Sequence, residues 1–360
     1  MKVVIRADAS STLGSGHVMR CKTLADELTR RSADVHFVCC EYPGNLIPML
    51  AGSGYRVIAI TPPEHAEQSR DADRTVAAVQ AFAPDWVIVD HYALDAEWET
   101  RVGASVGRVC VIDDLANRRH ACELLLDQNW VGVDAADRYD ALVPAHCTRL
   151  LGPDYALLQP AFRRLRATLA PRDGTIRRVL VFFGGVDSTN QTVKVLEALG
   201  DARFADLAVD IVIGHANPAA QQIASMATLR ADTRVYGQLS TLAELMAGAD
   251  LMLCAGGATT WERCCLGLPA VVAITAPNQQ AATRALAARG VHRSLGDAAA
   301  LGANDWAEAV EQLRRSPGVA RDYARASLEM TDGFGACRVG AAVEALSGRF
   351  PSGNRAFATS

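Results

Sequence analysis

The run RRVLVFFGG (residues 177–185) is an apolar, β-branched strand pattern closed by two glycines, and it restarts a rhythm that the first half of the chain has already completed once. Upstream of it, VVIRAD (3–8), DVHFVC (34–39), YRVIAI (55–60), DWVIVD (85–90) and RVCVID (108–113) alternate with helical patterns. Downstream, LAVDIVIG (207–214), TRVYG (233–237), DLMLCAGG (250–257) and AVVAIT (270–275) do the same. Strands that alternate with helices make parallel sheets through crossover connections, and runs apolar on both faces suit sheets covered on two sides. The fold class read from this pattern is α/β, with two Rossmann-like, doubly wound units facing each other across a cleft. The expected organisation is a first unit over 1–155, a linker over 156–176, a second unit over 177–335, a helix at 336–346 and a disordered tail at 347–360. The boundary falls in LLGPDYALLQPAFRRLRATLAPRDG (150–174), which is interrupted by Pro153, Pro160 and Pro171 and carries no strand pattern. Its Arg163, Arg164 and Arg166 read as a solvated face.

Length and composition narrow the function. A chain of 360 residues, half of them apolar, suffices for two domains with their own cores. The formal charge of −4 gives no electrostatic footprint for nucleic acid or for an acidic membrane surface, and neither is expected as a partner. The ten cysteines are scattered and form no C-x-x-C, so they read as reduced, buried small side chains; no metal site is expected. MKVVIRAD lacks a signal-peptide core and no long apolar run follows, which gives the expectation of a soluble, cytoplasmic protein without a membrane partner. A monomer is the favoured oligomeric state.

In open α/β sheets ligands sit outside the carboxyl ends of the strands, so the loops after strands carry the functional reading. The first strand is followed by ASSTLGSGHVMRC (9–21), where Gly14 and Gly16 allow a tight turn and the backbone can approach a ligand closely. His17 falls in the first turn of a helix whose apolar face is Val18, Cys21, Leu24 and Leu28. The positive end of the helix dipole favours a neutral ring there, able to accept a proton, and Arg20 on the same face is a candidate for an anionic group. The series G-x-G-x-x-G fails because Met19 stands where its last glycine belongs, so no nicotinamide cofactor is expected.

In the second half, Gly184 and Gly185 can bring backbone amides to a phosphate, with Ser188, Thr189 or Asn190 as caps of the next helix. CAGGATTWE (254–262) is the stronger feature. Gly256 and Gly257 end an apolar strand, the amides of Ala258, Thr259 and Thr260 open a helix suited to a diphosphate, and Glu262 can accept two hydroxyls of a ribose. TAPNQQ (275–280) sets Asn278 and Gln279 at a further helix start, ready to hydrogen-bond a sugar. Asp8, Asp90 and Asp113 with Asp114 end strands and read first as turn caps; Asp8, Tyr92 and Asn129 are kept as possible substrate contacts. Ser240 is expected to cap a helix whose core stripe is Leu242, Leu245, Met246 and Ala249. GASVG (103–107) matches a nucleophile elbow in letters only, since it precedes a strand.

RADASSTLGSGHVMRC (6–21), IVDHY (88–92), VIDDLANR (111–118), LLGPDYALLQPAF (150–162), FFGGVD (182–187), CAGGATTWE and the Asn278–Gln279 pair together resemble the sugar-nucleotide hydrolase family of pseudaminic acid biosynthesis, from residue 1 to about 345. That family is related to the glycosyltransferase-B enzymes. The resemblance implies hydrolysis of UDP-2,4-diacetamido-2,4,6-trideoxy-β-L-altropyranose at the anomeric carbon, with inversion and without a metal or other cofactor. It makes His17 the base on water, the second unit the UDP-binding one, and Glu262 the ribose ligand. The alternatives are a glycosyltransferase using the same donor, a sugar-nucleotide 2-epimerase, and a non-catalytic nucleotide-sugar sensor.

Overall fold

The computed structural model describes residues 1–62, 67–132, 137–214, 217–237 and 239–348. Most of the tail expected at 347–360 lies outside the described residues. Among them, seven strands form a first sheet: β1 (Lys2–Ala7), β2 (Asp34–Cys40), β3 (Arg56–Ile60), β4 (Trp86–Asp90), β5 (Arg108–Ile112), β6 (Leu124–Asp127) and β7 (Thr148–Leu151). A second sheet holds six more: β8 (Arg178–Phe182), β9 (Ala208–Val212), β10 (Thr233–Tyr236), β11 (Leu251–Ala255), β12 (Ala270–Ile274) and β13 (Arg293–Asp297). Every pairing is parallel. The lateral orders are β3-β2-β1-β4-β5-β6-β7 and β10-β9-β8-β11-β12-β13.

Those orders locate the site before any side chain is considered. In the first sheet the winding reverses between β1 and β4, and in the second between β8 and β11. A crevice opens at such a reversal because the connections on either side leave in opposite directions. The loops after these four strands carry Gly14, Gly16 and His17, Tyr92, Gly184 and Gly185, and Gly256 and Gly257.

The helices cover both faces of each sheet. In the first unit these are α1 (Gly16–Arg30), α2 (Ile47–Gly52), α3 (Gln68–Val79) and α4 (Ala96–Gly103), followed by α5 (Pro160–Arg166) in the connecting segment. The second unit carries α6 (Gln191–Leu199), α7 (Ala220–Ala227), α8 (Ala243–Gly248), α9 (Thr259–Cys265), α10 (Gln280–Ala288), α11 (Ala303–Arg315) and α12 (Pro317–Leu328). The last helix, α13 (Gly335–Ser347), returns to the first unit: Ala336, Val339 and Val343 join the core formed by Val18, Cys21, Leu24 and Leu28 of α1 with β1 and β2. Trp86 donates its indole N–H to Ser347 at 2.8 Å, and Arg31 pairs with Glu344 at 2.6 Å. A methyl group on Gly335 would overlap the carbonyl of Ala156, so glycine is what lets the chain cross there.

α1 shows why these elements start and stop where they do. Its buried stripe is spaced three and four residues apart, and it ends at Ser32, whose φ of +66° places it in the left-handed region. There the Ser32 amide donates to Thr29 and the Ala33 amide to Leu28, satisfying carbonyls that the helix end leaves free.

Several expectations change. β6, β7 and β13 have no counterpart in the strand pattern of the sequence: β6 and β7 are only four residues long, and β13 (RSLGD) is polar and contains Gly296 at φ +85°, facing a register shift between Val272 and Ala273 of β12. α8 begins at Ala243 rather than at a Ser240 cap, and Thr241 supplies the side-chain oxygen that accepts from the Ala243 amide at 3.3 Å. The arginines of the connecting segment are not a purely solvated face. Arg166 donates to the carbonyls of Cys265, Thr331 and Leu328, and Arg163 lies 4.4 Å from the Phe334 ring centre, tying α5 to the end of α9 and to the segment before α13.

Candidate active site

The loop after β1 is folded by its own hydroxyls. Ser10 Oγ accepts from the amides of Thr12 and Leu13, Gly14 donates to the Ser10 carbonyl, and Gly14 takes the φ of +77° that closes the turn. α1 then starts at Gly16, which puts His17 in its first turn as the sequence suggests. The neighbour that defines the ring comes from elsewhere. His17 Nδ1 lies 2.6 Å from Oδ1 of Asp90, the last residue of β4. A carboxylate accepts only, so Nδ1 carries the proton and the neutral ring keeps its lone pair on Nε2. Tyr92 packs edge-on against the imidazole, with ring centres 4.5 Å apart.

Arg20, expected to meet an anion, meets two protein carboxylates. Its Nε and Nη2 grip Asp90 at 2.6 and 2.7 Å, and Nη1 reaches Asp114 Oδ2 at 3.1 Å. Burial works against ionisation of Asp90, yet the Arg20 fork and His17 hold its carboxyl far below the usual carboxylate range. Asp114 also accepts from the Tyr92 hydroxyl at 3.3 Å, and its Oδ1 has no hydrogen-bond partner among the described residues. Burial and the adjacent Asp114 raise the Tyr92 phenol above its ordinary value. Asp8 is turned inward: it accepts from the Cys40 amide and pairs with Arg6, both at 2.7 Å, and Arg6 outweighs burial to keep its carboxyl low.

The second unit presents its glycine turns to this cluster. Gly184 has a φ of +88°, and a methyl group on Gly185 would stand 3.9 Å from Ser15 Oγ at the start of α1. The helix after this turn is capped differently from expectation. Asp187, rather than Ser188, Thr189 or Asn190, accepts from the amides of Gln191 and Thr192 at 2.9 Å each. Gly214 lies against the same turn so closely that any side chain would overlap the Gly185 carbonyl. Gly214→Ala is therefore expected to cost about 1–3 kcal/mol through forced displacement of the turn. A thermal melt of the variant checks this, and an unchanged midpoint would refute the close approach.

The turn after β11 and the start of α10 are interlocked. Gln279 Oε1 accepts from the amide and hydroxyl of Thr275 at 3.0 and 3.1 Å, and its Nε2 would be 3.7 Å from a methyl group on Gly257. Gly256 leaves no room for a side chain beside Thr283 Oγ1. Ala258 is the N-cap residue of α9, and Thr259 and Thr260 form its first turn. Glu262, one turn along, is half-buried, and among the described residues no hydrogen bond or ion pair reaches its carboxylate. Burial pushes its carboxyl up to about 7.

Two side-chain bonds join the halves at the cleft. Asn278 donates to the Tyr92 hydroxyl at 3.0 Å, and Trp261 donates to Asn129 Oδ1 at 3.2 Å. The structure thus brings His17, Arg20 and Tyr92 together with Asn278, and sets the Gly184–Gly185 turn beside the start of α1. Asn129 spends its oxygen on Trp261, and Asp8 is sealed behind Arg6. Asp90 and Asp114 are the residues that sequence reasoning took for turn caps. Their roles depend on β4 and β5 lying beside β1, and strand order carries no signal in a single sequence.

No family model matches the chain. A curated relative, an uncharacterized protein of Methanocaldococcus jannaschii, is 23% identical over 277 residues, 76% of this chain; the chain spans 55%, about half, of that relative's length. The UDP-2,4-diacetamido-2,4,6-trideoxy-beta-L-altropyranose hydrolase of Campylobacter jejuni is 25% identical over 248 residues, 68% of this chain and 81% of that protein. The spore coat polysaccharide biosynthesis protein SpsG of Bacillus subtilis is 25% identical over 297 residues, 82% and 84% of the two chains. Among solved structures, MurG of Acinetobacter baumannii superimposes with a TM-score of 0.67 at 14% identity, over 96% of this chain and 99% of that one. The UDP-GlcNAc 2-epimerase of Neisseria meningitidis gives 0.66 at 13% identity, over 96% and 99%. These likenesses establish the fold as the two-sheet α/β architecture of the glycosyltransferase-B type. No helix among the described residues is long and apolar enough to cross a membrane.

Proposed function

We propose that the chain hydrolyses a UDP-sugar at its anomeric carbon, with UDP-2,4-diacetamido-2,4,6-trideoxy-β-L-altropyranose as the substrate to test first. The observation that carries this reading is the His17–Asp90 pair at 2.6 Å, held in the same cleft as the glycine turns of the second unit. The similarity to the Campylobacter jejuni hydrolase supports it from an independent side.

In this reading the diphosphate lies on the turn from Gly256 to Thr260, facing the backbone amides of Ala258, Thr259 and Thr260, with the Gly184–Gly185 turn alongside. Glu262 accepts the ribose hydroxyls, and Asn278 and Gln279 meet the sugar. His17 Nε2 takes a proton from a water placed behind C1. The water oxygen forms its bond to C1 as the C1–O bond breaks, and the electron pair leaves on the β-phosphate oxygen of UDP. Attack opposite the leaving group inverts C1. Asp90 keeps Nδ1 protonated and stabilises the imidazolium that forms, as an acceptor fixed behind a base does in other hydrolytic sites. UDP is already a good leaving group, so the reading requires neither a flanking pair of carboxylates nor a metal beside the turn.

The fold also serves transferases, which replace water with an acceptor hydroxyl. Incubation with the UDP-sugar and no acceptor separates the two. Continuous UDP release at a rate proportional to protein is the expected outcome; release only on addition of an acceptor sugar would overturn the hydrolase reading in favour of a transferase.

A further inference from the structure

We propose that Arg20 is a positioning residue of this site: it fixes the Asp90 carboxylate against His17 and, by offsetting carboxylate charge, limits how strongly the ring holds a proton. The inference deepens the reading of His17 as the base and rests on it for its kinetic consequences, but its direct test needs no turnover.

The argument is one of donors and charges. The Arg20 guanidinium is nine-tenths buried, and three of its nitrogens are committed to protein oxygens: Nε and Nη2 to both oxygens of Asp90, and Nη1 to Asp114. A guanidinium so engaged is pre-organised, because its planar fork matches the carboxylate with two parallel bonds. It does not stand free to take up a phosphate. Nη2 also lies 3.3 Å from His17 Nδ1, so the fork and the ring share Asp90 Oδ1 and fix each other's approach to it.

The charged and titratable groups facing the ring come from every element around it. α1 contributes Arg20, the end of β4 contributes Asp90, His91 and Tyr92, and the end of β5 contributes Asp114. From the second unit, Asn278 arrives uncharged through the Tyr92 hydroxyl. Burial and Arg6 hold His91 down to about 4, so it is neutral at ordinary pH, and the Tyr92 phenol is held protonated. The fixed charges are therefore Asp90 and Asp114 against one arginine. Without Arg20 the ring would face two uncompensated carboxylates, each of which favours the protonated imidazole. A ring protonated in the resting site has no lone pair with which to take a proton from water. Arg20 thereby supports the base while Asp90 fixes which nitrogen acts.

Two substitutions should move the same quantity in opposite directions. Arg20→Met removes the charge and the fork but keeps the length, and the His17 imidazole, followed by NMR of ring-labelled histidine in the unliganded protein, should then titrate about one pH unit or more higher than in the wild type. Asp114→Asn removes one negative charge and should lower the titration. For Arg20→Met the acid limb of kcat/KM should follow the NMR shift, giving a roughly tenfold loss near pH 6.5 that is recovered at higher pH, while the affinity for UDP stays within about twofold. Arg20→Lys keeps the charge without the fork and should show a smaller shift with a lower plateau.

A His17 titration unmoved by either substitution would overturn the proposal. So would a selective loss of UDP affinity in Arg20→Met, which would make Arg20 a phosphate ligand. If the NMR shifts appear but no UDP-sugar is turned over, the inference stands and the hydrolase reading fails.

Discussion

His17→Ala is expected to abolish turnover almost completely while leaving the nucleotide site intact. Base catalysis by a positioned side chain contributes on the order of a hundredfold to ten-thousandfold, so kcat should fall within that range. The affinity for UDP should stay within about twofold, because the glycine turns and Glu262 belong to the other unit and none of their hydrogen bonds runs through the imidazole. Steady-state kinetics with titration calorimetry for UDP measures both quantities. A variant that keeps its turnover removes the proposed base; one that loses UDP affinity in proportion makes His17 a binding residue. The environment sharpens the expectation. Asp90 is almost fully buried and is held by Arg20 and Cys21 as well as by His17, so the carboxylate stays in place when the ring is removed.

Glu262 carries the second large effect, and its sign with pH follows from the structure. In the unliganded protein burial lifts its carboxyl to about 7, with no positive group to bring it down. Ribose hydroxyls donate hydrogen bonds, and a carboxylate accepts them better than a protonated acid does. Binding of a nucleoside therefore favours the charged form and releases a proton wherever the acid is protonated beforehand. Affinity should be highest above pH 7 and weaken as pH falls through 7 towards 5.5, by up to tenfold per unit where one full proton is linked. Uridine is the right probe, since it lacks a phosphate that titrates in the same range. Glu262→Gln should bind uridine about 10- to 100-fold more weakly at pH 8, the equivalent of one or two charge-assisted hydrogen bonds, and should lose the pH slope. Wild-type affinity with the slope retained would free Glu262 from the ribose.

Much of this site could be read from local sequence because its turns are local. A strand closed by two glycines and followed by a helix is written in consecutive residues at 182–191 and 254–262, and the structure folds both stretches as strand, turn and helix. His17 in the first turn of α1 is equally local. What could not be read depends on lateral neighbours. Asp90 looks like any residue ending a strand until β4 is found beside β1, which brings its carboxylate under a ring 73 positions earlier in the chain. Arg20 was open to reading as a ligand for an outside anion for the same reason, since its true partners lie on β4 and after β5. α13 has an ordinary amphipathic pattern, and nothing in that pattern says that it packs on the first unit rather than the second. Short or polar strands such as β7 and β13 fall below what periodicity detects, and Gly296 in the latter marks an irregular edge rather than a strand interior.

The central claim is that one ring base from the first unit and one nucleotide cradle from the second act on the same C1–O bond. Hydrolysis of UDP-2,4-diacetamido-2,4,6-trideoxy-β-L-altropyranose in ¹⁸O-labelled water, with no acceptor present, tests it by the mass of the UDP released. Attack of the His17-activated water on C1 leaves UDP unlabelled and the reaction complete without an acceptor. UDP carrying ¹⁸O on its terminal phosphate would mean that water strikes phosphorus, and the geometry described for His17 would then serve some other reaction.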